Sequence, residues 1–353
     1  MKLAVFAFTR KGCRLALRCR EALAPGECRM VTLEKFGFPG FEPYSPPLSG
    51  CMKEYFSWAD QILFIGSTGM AVRAIAPWVR DKKQDPGVLV VDEGGTFVVS
   101  LLSGHIGGAN ALTVRLAQAI QAQPVVTTAT DVERKFSVDT WAAEQNLHIG
   151  DFALCKAVSA GILEEDVPIC SQYPLPKTLP AGLVEGTSGK LGIYVGLDGK
   201  KPFDQTLVLT PRVLTLGIGC RKGTPETAIE EAVAAVLASR GLPLEAVEQA
   251  ASIDLKAGEA GLLSYCEQKK IPIRFYSAAE LEAVPGDFTP SAFVSSVTGV
   301  DNVCERAAAR NGDPLIVRKT ACRGVTVAVS RKKWEVTFLS CMLWALAREI
   351  MRI

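Results

Sequence analysis

Histidine is scarce in this chain of 353 residues, which holds two, His105 and His148, so imidazole chemistry near neutral pH has two candidates. No pair among the eleven cysteines has CxxC spacing, which argues against structural zinc. No apolar run is long enough to span a bilayer: the longest, Val336 to Ala347, ends at Arg348 and Glu349 and reads as a docked terminal helix. The opening MKLAVFAFTRKG lacks a basic leader and a small-residue cleavage site, so it reads as a first strand. Scattered cysteines without an export signal point to reduced thiols in a cytoplasm. The formal net charge of +2 excludes a strongly basic nucleic-acid binder.

What is present is the composition of an ordinary folded chain, 48% hydrophobic and 22% charged, with 31 glycines and 20 prolines that predict many short turns. The length predicts two domains, or two with a small insert. Charge is unevenly placed. Residues 1–20 carry Lys2, Arg10, Lys11, Arg14, Arg18 and Arg20 without an acid, and residues 314–334 carry Arg318, Lys319, Arg323, Arg331, Lys332 and Lys333 without one. Each run either faces a polyanion or is a solvated face.

The first 131 residues alternate β-like runs (KLAVFAF, 61–65, 88–92, 97–102, 124–128) with helical stretches at Gly12 to Ala22, Met70 to Val79 and Gly108 to Ile120. That rhythm predicts a mostly parallel sheet covered by helices. Residues 132–211 weaken it, with a helix at Val138 to Asn146, the Pro-rich SQYPLPKTLPAG and a candidate hairpin around Leu197, Asp198 and Gly199. Residues 212–353 resume it with VLTLGIG, helices at Pro225 to Ser239 and Gly258 to Lys270, then PLIVRK and VTVAVS. The expected fold is α/β: two α/β domains with mostly parallel or mixed sheets, joined by a small α+β middle segment.

In such sheets ligands bind beyond the carboxyl ends of the strands, and four strand ends carry polar or glycine-rich loops. In LLSGHIGGAN, Ser103, Gly104, His105, Gly107, Gly108 and Asn110 lead from a strand into a helix whose free N–H groups suit an anion or a carbonyl oxygen. His105, framed by glycines, is a candidate general base, general acid or substrate ligand; His148 lacks such framing and reads as structural. In GSTGMAVRA, Gly66 and Gly69 are turn or ligand-facing residues, and Arg73 is suited to fork onto a carboxylate. Asp92 and Glu93 end a third strand and point to opposite faces, so one of them is expected to support a proton transfer. TTATD brings Thr128 and Asp131. The four ends are expected to form one rim.

LGIGCRKGT offers a second anion cradle at Gly219, Cys220 and Arg221, with Cys220 weighed as a nucleophile against plain packing. Lys256 and Glu259, three apart, are ligand contacts or a surface ion pair. Neither a P-loop nor a dinucleotide fingerprint is present, because no GK[ST] follows a glycine loop and the G-x-G-x-x-G spacing is missing.

GSTGMAVRAIAPW, DPGVLVVDEGGTFVVSLLSGHIGGANALT and PVVTTATD, in that order, resemble the amino-terminal domain of the cobalt-precorrin-5A hydrolase family, cobalamin biosynthesis protein G. LGIGCRKGTP, SIDLKAGEAGL, VTGVDNVCERAA and VTVAVS resemble its carboxyl-terminal domain, which also occurs separately in aerobic cobalamin pathways. The likeness covers residues 1–330; the tail after Arg331 departs from the family's usual ending.

The resemblance implies a cytoplasmic enzyme of anaerobic cobalamin (vitamin B12) biosynthesis. It implies a corrinoid substrate bearing acetate and propionate arms and its own cobalt, with no separate cofactor and no protein metal site. The implied reaction opens a δ-lactone and releases acetaldehyde. His105, steered by Asp92 or Glu93, would activate water, amides around Gly107 and Gly108 would hold the lactone carbonyl, and Arg73 and Arg221 would clamp carboxylate arms. The same cradles would serve a non-catalytic corrinoid carrier, which is the alternative. Neither nucleic acid nor membrane is an expected partner; homo-oligomerisation and transient contacts with neighbouring pathway enzymes are left open.

Overall fold

Runs such as Leu3–Ala7, Ile62–Ile65 and Val88–Val91 are buried along their whole length, as befits strands covered on both faces. In a computed structural model they form part of the first of three sheets. The structure describes residues 1–81, 84–104, 107–128, 133, 135–291, 295–296 and 299–338. The chain divides into two compact units, Met1–Ala143 and Glu144–Ile353.

The first unit runs β1 (Lys2–Ala7), α1 (Arg10–Leu23), β2 (Glu27–Leu33), β3 (Glu42–Tyr44), α2 (Leu48–Trp58), β4 (Gln61–Ile65), α3 (Thr68–Ile75), β5 (Gly87–Val91), β6 (Phe97–Leu102), α4 (Ala109–Ile120) and β7 (Gln123–Val125), with α5 (Val138–Glu144) at its end. The sheet order is β3-β2-β1-β4-β5-β6-β7. Leu3, Val5 and Ala7 pack with α1 and α4 on one face, whereas Ala4 and Phe6 pack with α2 and α3 on the other, as the strand's period of two dictates. The chain leaves β1 towards β2 and later continues from β4 towards β5, so strand order reverses between β1 and β4. In doubly wound sheets ligands bind beyond the carboxyl ends of the strands at such a point.

β3 to β5 run parallel, but β6 pairs antiparallel with β5, Val91 opposite Val98 and Val88 opposite Leu102. β7 follows β6 in parallel. The Asp92–Thr96 connection is thus a tight return, and it reverses the last two strands.

The second unit holds β8 (Leu147–Ile149), α6 (Phe152–Glu164), β9 (Val167–Ser171), β10 (Leu183–Glu185), β11 (Leu191–Val195) and β12 (Gln205–Pro211) in the order β10-β9-β11-β12-β8. β8 alone is antiparallel to its neighbour. The hairpin expected around Leu197–Gly199 is not formed: β11 and β12 are parallel, Leu191 opposite Gln205. The connection turns at Gly199, buries Leu197 and Phe203, and lays the Phe203 ring against Gly192, so the chain re-enters the sheet in the same direction.

The third sheet, also in this unit, combines β13 (Leu214–Cys220), α7 (Glu226–Ala238), β14 (Val247–Ile253), α8 (Ala260–Gln268), β15 (Ile273–Tyr276), α9 (Ala278–Glu282), α10 (Val303–Ala308), β16 (Leu315–Cys322) and β17 (Val325–Arg331), in the order β15-β14-β13-β17-β16. Helix α10 lies directly on β13, where a Cβ at Gly217 would fall 1.7 Å from the Cys304 carbonyl oxygen. Asn302 caps α10 by accepting from the Glu305 amide at 2.8 Å. The wholly buried Glu305 carboxylate accepts from the amides of Thr289 and Lys319 and from the Asn302 side chain. The fold is α/β with mixed sheets. The terminal helix expected after Val336 lies largely outside the described residues.

Candidate active site

At the carboxyl end of β1, Thr9 takes extended backbone angles and caps α1, its hydroxyl oxygen accepting from the Gly12 amide at 2.9 Å. The first turn of α1 contains no acid, and Arg10 and Lys11 are exposed there. At the carboxyl end of β4, Gly66 donates its amide to the Val91 carbonyl at 2.8 Å, and no side chain caps α3. Exposed Arg73 extends one turn into α3, its guanidinium beside Gly69.

At the end of β5 the two adjacent carboxylates have different partners. Asp92 accepts from the amides of Gly94 (3.0 Å), Thr96 (2.7 Å) and Phe97 (2.5 Å), which shapes the return into β6. Glu93 accepts from the Thr9 hydroxyl. Of the two carboxylates expected to offer one proton-transfer group, Asp92 shapes the turn and Glu93 reaches the cap of α1.

The glycine-rich loop after β6 lies at the other end of the sheet, because β6 is reversed. Gln61 at the start of β4 donates to the Gly107 carbonyl, and a Cβ at Gly87, the first residue of β5, would fall 2.7 Å from that same oxygen. Gly87 and Asp92 are separated by about 16 Å of extended strand. The single expected rim is therefore two. Gly66, Gly69, Arg73, Asp92 and Glu93 border one; Ser103, Gly104, Gly107, Gly108, Asn110 and Thr128 lie at the other.

This second end is closely packed and largely serves itself. A Cβ on Gly107 would lie 2.4 Å from that of Ser103, and one on Gly104 would lie 2.5 Å from the Asn110 oxygen. The amides of Ala109 and Asn110 donate to the carbonyls of Ser103 and Gly104 at 3.3 and 2.9 Å, so two donors of the α4 terminus are already used. Asn110 is buried, accepts from Ser100 at 2.6 Å and donates to Thr128 at 2.8 Å. Gly104 and Gly107 thus admit neighbouring protein atoms on their Cβ side. His105 and Asp131, and with them the expected steering of His105 by Asp92 or Glu93, lie outside the described residues.

In the second unit, the Gly219 carbonyl accepts from the Thr326 hydroxyl at 3.2 Å. Burial pushes the Cys220 thiol up, against the opposing effect of Lys256, which counts against a thiolate nucleophile. Arg221 is exposed and lies over Gly324. The cradle of the GCRKG turn is filled from within: the Gly223 amide donates to Glu259 at 2.5 Å, and Lys256 pairs with Glu259 at 3.2 Å. His148 sits in β8 opposite Thr210, and burial together with Arg212 holds it below the usual imidazole range, in keeping with a structural role.

Thr9, Arg10 and Lys11 were not singled out as site residues, although a threonine between a strand and a helix signals a cap. The place of Thr9 beside Glu93 depends on pairing across the sheet. Among the described residues no group of three or more His, Cys, Asp or Glu gathers to hold a metal ion, and no helix is long and apolar enough to cross a membrane.

Residues 50–131 match the family model described as Cobalamin synthesis G N-terminal, and residues 214–330 match Cobalamin synthesis G C-terminus. The chain is 33% identical to a cobalt-precorrin-5A hydrolase of Salmonella typhimurium over 87% of its own length and 90% of that protein. It is 32% identical to one of Priestia megaterium, over 76% and 78%. A crystal structure of a cobalamin biosynthesis protein G homologue from Sulfolobus solfataricus aligns at 19% identity and a TM-score of 0.42, covering 94% of this chain and 97% of that one. With a relative at one-third identity matched along most of both chains, and both halves of the family represented in order, the chain belongs to the cobalamin biosynthesis protein G family.

Proposed function

We propose that this protein is a cobalt-precorrin-5A hydrolase, which opens the δ-lactone of that cobalt-bearing corrinoid and releases acetaldehyde to give cobalt-precorrin-5B. The observation that carries this reading is the 33% identity to a hydrolase of that name along 87% of the chain. The geometry supports it chemically. A substrate with several acetate and propionate arms needs exposed cations at strand ends, and Arg10, Lys11 and Arg73 are exposed in the helices that follow β1 and β4 in the first unit. Arg221 and Lys222 are exposed at the carboxyl end of β13 in the second. Lactone opening needs a group to take a proton from water and donors for the developing oxyanion. The cobalt belongs to the substrate. We place the reaction in the cytoplasm, where the ten described cysteines, all free, stay reduced.

The test is anaerobic incubation with cobalt-precorrin-5A, with trapping of the aldehyde and mass analysis of the corrinoid. One acetaldehyde per corrinoid is expected. Tight binding of unchanged corrinoid without aldehyde would replace the hydrolase with a carrier.

A further inference from the structure

We infer that Glu93 is the carboxylate that moves the proton at the carboxyl-end rim of the first unit, and that Thr9 is the residue that positions it. The inference rests on the hydrolase reading above and adds a base and its support to it.

Sequence alone does not separate Asp92 from Glu93; their partners do. The Asp92 carboxylate accepts from three backbone amides of the β5–β6 turn, so three of its roughly four lone-pair sites hold that turn. Glu93 accepts from a side chain, the Thr9 hydroxyl. The Thr9 oxygen also accepts from the Gly12 amide at 2.9 Å, which directs its single proton at Glu93. Glu93 Oε1 is the oxygen held in this way.

Position is the second argument. β1, β4 and β5 are adjacent in that order; Thr9 lies two residues past β1 and Glu93 two past β5. Their hydrogen bond therefore crosses the end of β4 at Gly66, at the reversal of strand order where such sheets bind ligands. Arg10 and Lys11 follow Thr9, and Arg73 lies along the helix that follows Gly66, all three exposed. The carboxylate is half-buried, and these exposed cations belong to the same end of the sheet, an end suited to a polycarboxylate.

In the step assigned to it, the free Glu93 oxygen takes a proton from water as the water oxygen bonds to the lactone carbonyl carbon. The ring carbon–oxygen bond then breaks, and the departing alkoxide recovers the proton from Glu93. One water is added, and neither oxidant nor reductant is consumed.

A bland role for the pair is helix support, with Glu93 supplying the negative charge that the first turn of α1 lacks. Substitutions in the full-length protein separate the two. Thr9→Gly removes the hydroxyl without adding charge, at an N-cap position where glycine is well tolerated; Thr9→Ser keeps both functions. With cobalt-precorrin-5A as substrate, Glu93→Gln is expected to lower kcat by about 100-fold or more with KM little changed. Thr9→Gly should lower kcat by about tenfold with KM and Tm near the wild-type values, and Thr9→Ser should stay within about threefold of wild type. Wild-type kcat in Glu93→Gln or Thr9→Gly would overturn the assignment, as would a Thr9→Ser loss equal to that of Thr9→Gly. If the wild-type enzyme turns over, those results bear on Glu93 and Thr9 alone; if it releases no acetaldehyde, the hydrolase reading itself falls.

Discussion

At Glu259, burial pushes the carboxyl upward, yet the Gly223 amide and the Lys256 ammonium outweigh it and hold the group below the usual carboxylate range. A lowered folded-state pKa contributes stability that is present above the unfolded value, about 4.3, and lost as pH falls through the folded one. Glu259→Gln should therefore cost about 1–2 kcal/mol near neutral pH. The gap to wild type in urea unfolding should begin to close near the unfolded value and vanish in stronger acid; a gap independent of pH would refute the account. The sequence placed Lys256 and Glu259 close together but left open whether they meet a ligand or each other. The deciding partner, the Gly223 amide, lies 36 residues away. Asp92 and Glu93 were equally ambiguous, because the amides of one turn and the cap of α1 distinguish them.

Among the elements, α10 and β13 show a glycine used for backbone approach. A Cβ at Gly217 would fall 1.7 Å from the Cys304 oxygen and 2.8 Å from the Ala308 nitrogen, and neither backbone atom can turn aside as a side chain does. Gly217→Ala should cost about 3 kcal/mol or more in urea unfolding, with faster amide exchange in α10; unchanged stability would show that the helix yields freely. Most elements were legible, because a run of apolar residues bounded by turns marks a strand such as β5 and the 3.6-residue period marks a helix such as α1. Direction was not. The β6 run reads the same whether it pairs parallel or antiparallel, and its reversal took Ser103, Gly104, Gly107, Gly108 and Asn110 away from Glu93. The parallel return of β12 after Gly199 escaped the sequence for the same reason.

For the whole molecule, a formal charge of +2 conceals exposed cations at the strand ends of both units, so association with a polycarboxylate should respond to salt more than net charge suggests. Raising ionic strength from about 0.02 to about 0.3 M should raise KM several-fold with kcat nearly constant; a KM indifferent to salt would remove these cations from substrate capture. The sequence by itself determined the α/β alternation, the family motifs and the residue types available at each strand end, since these follow from local periodicity and turn chemistry. Only the tertiary structure decided which strand ends share a rim, which carboxylate is committed to a turn and which glycines admit protein atoms. The rims and the Glu93 and Gly217 contacts depend on strand direction and on residues far apart in the chain, which leave no local pattern in sequence, whereas the amides that hold Asp92 are neighbours brought to it only because the chain turns back into β6.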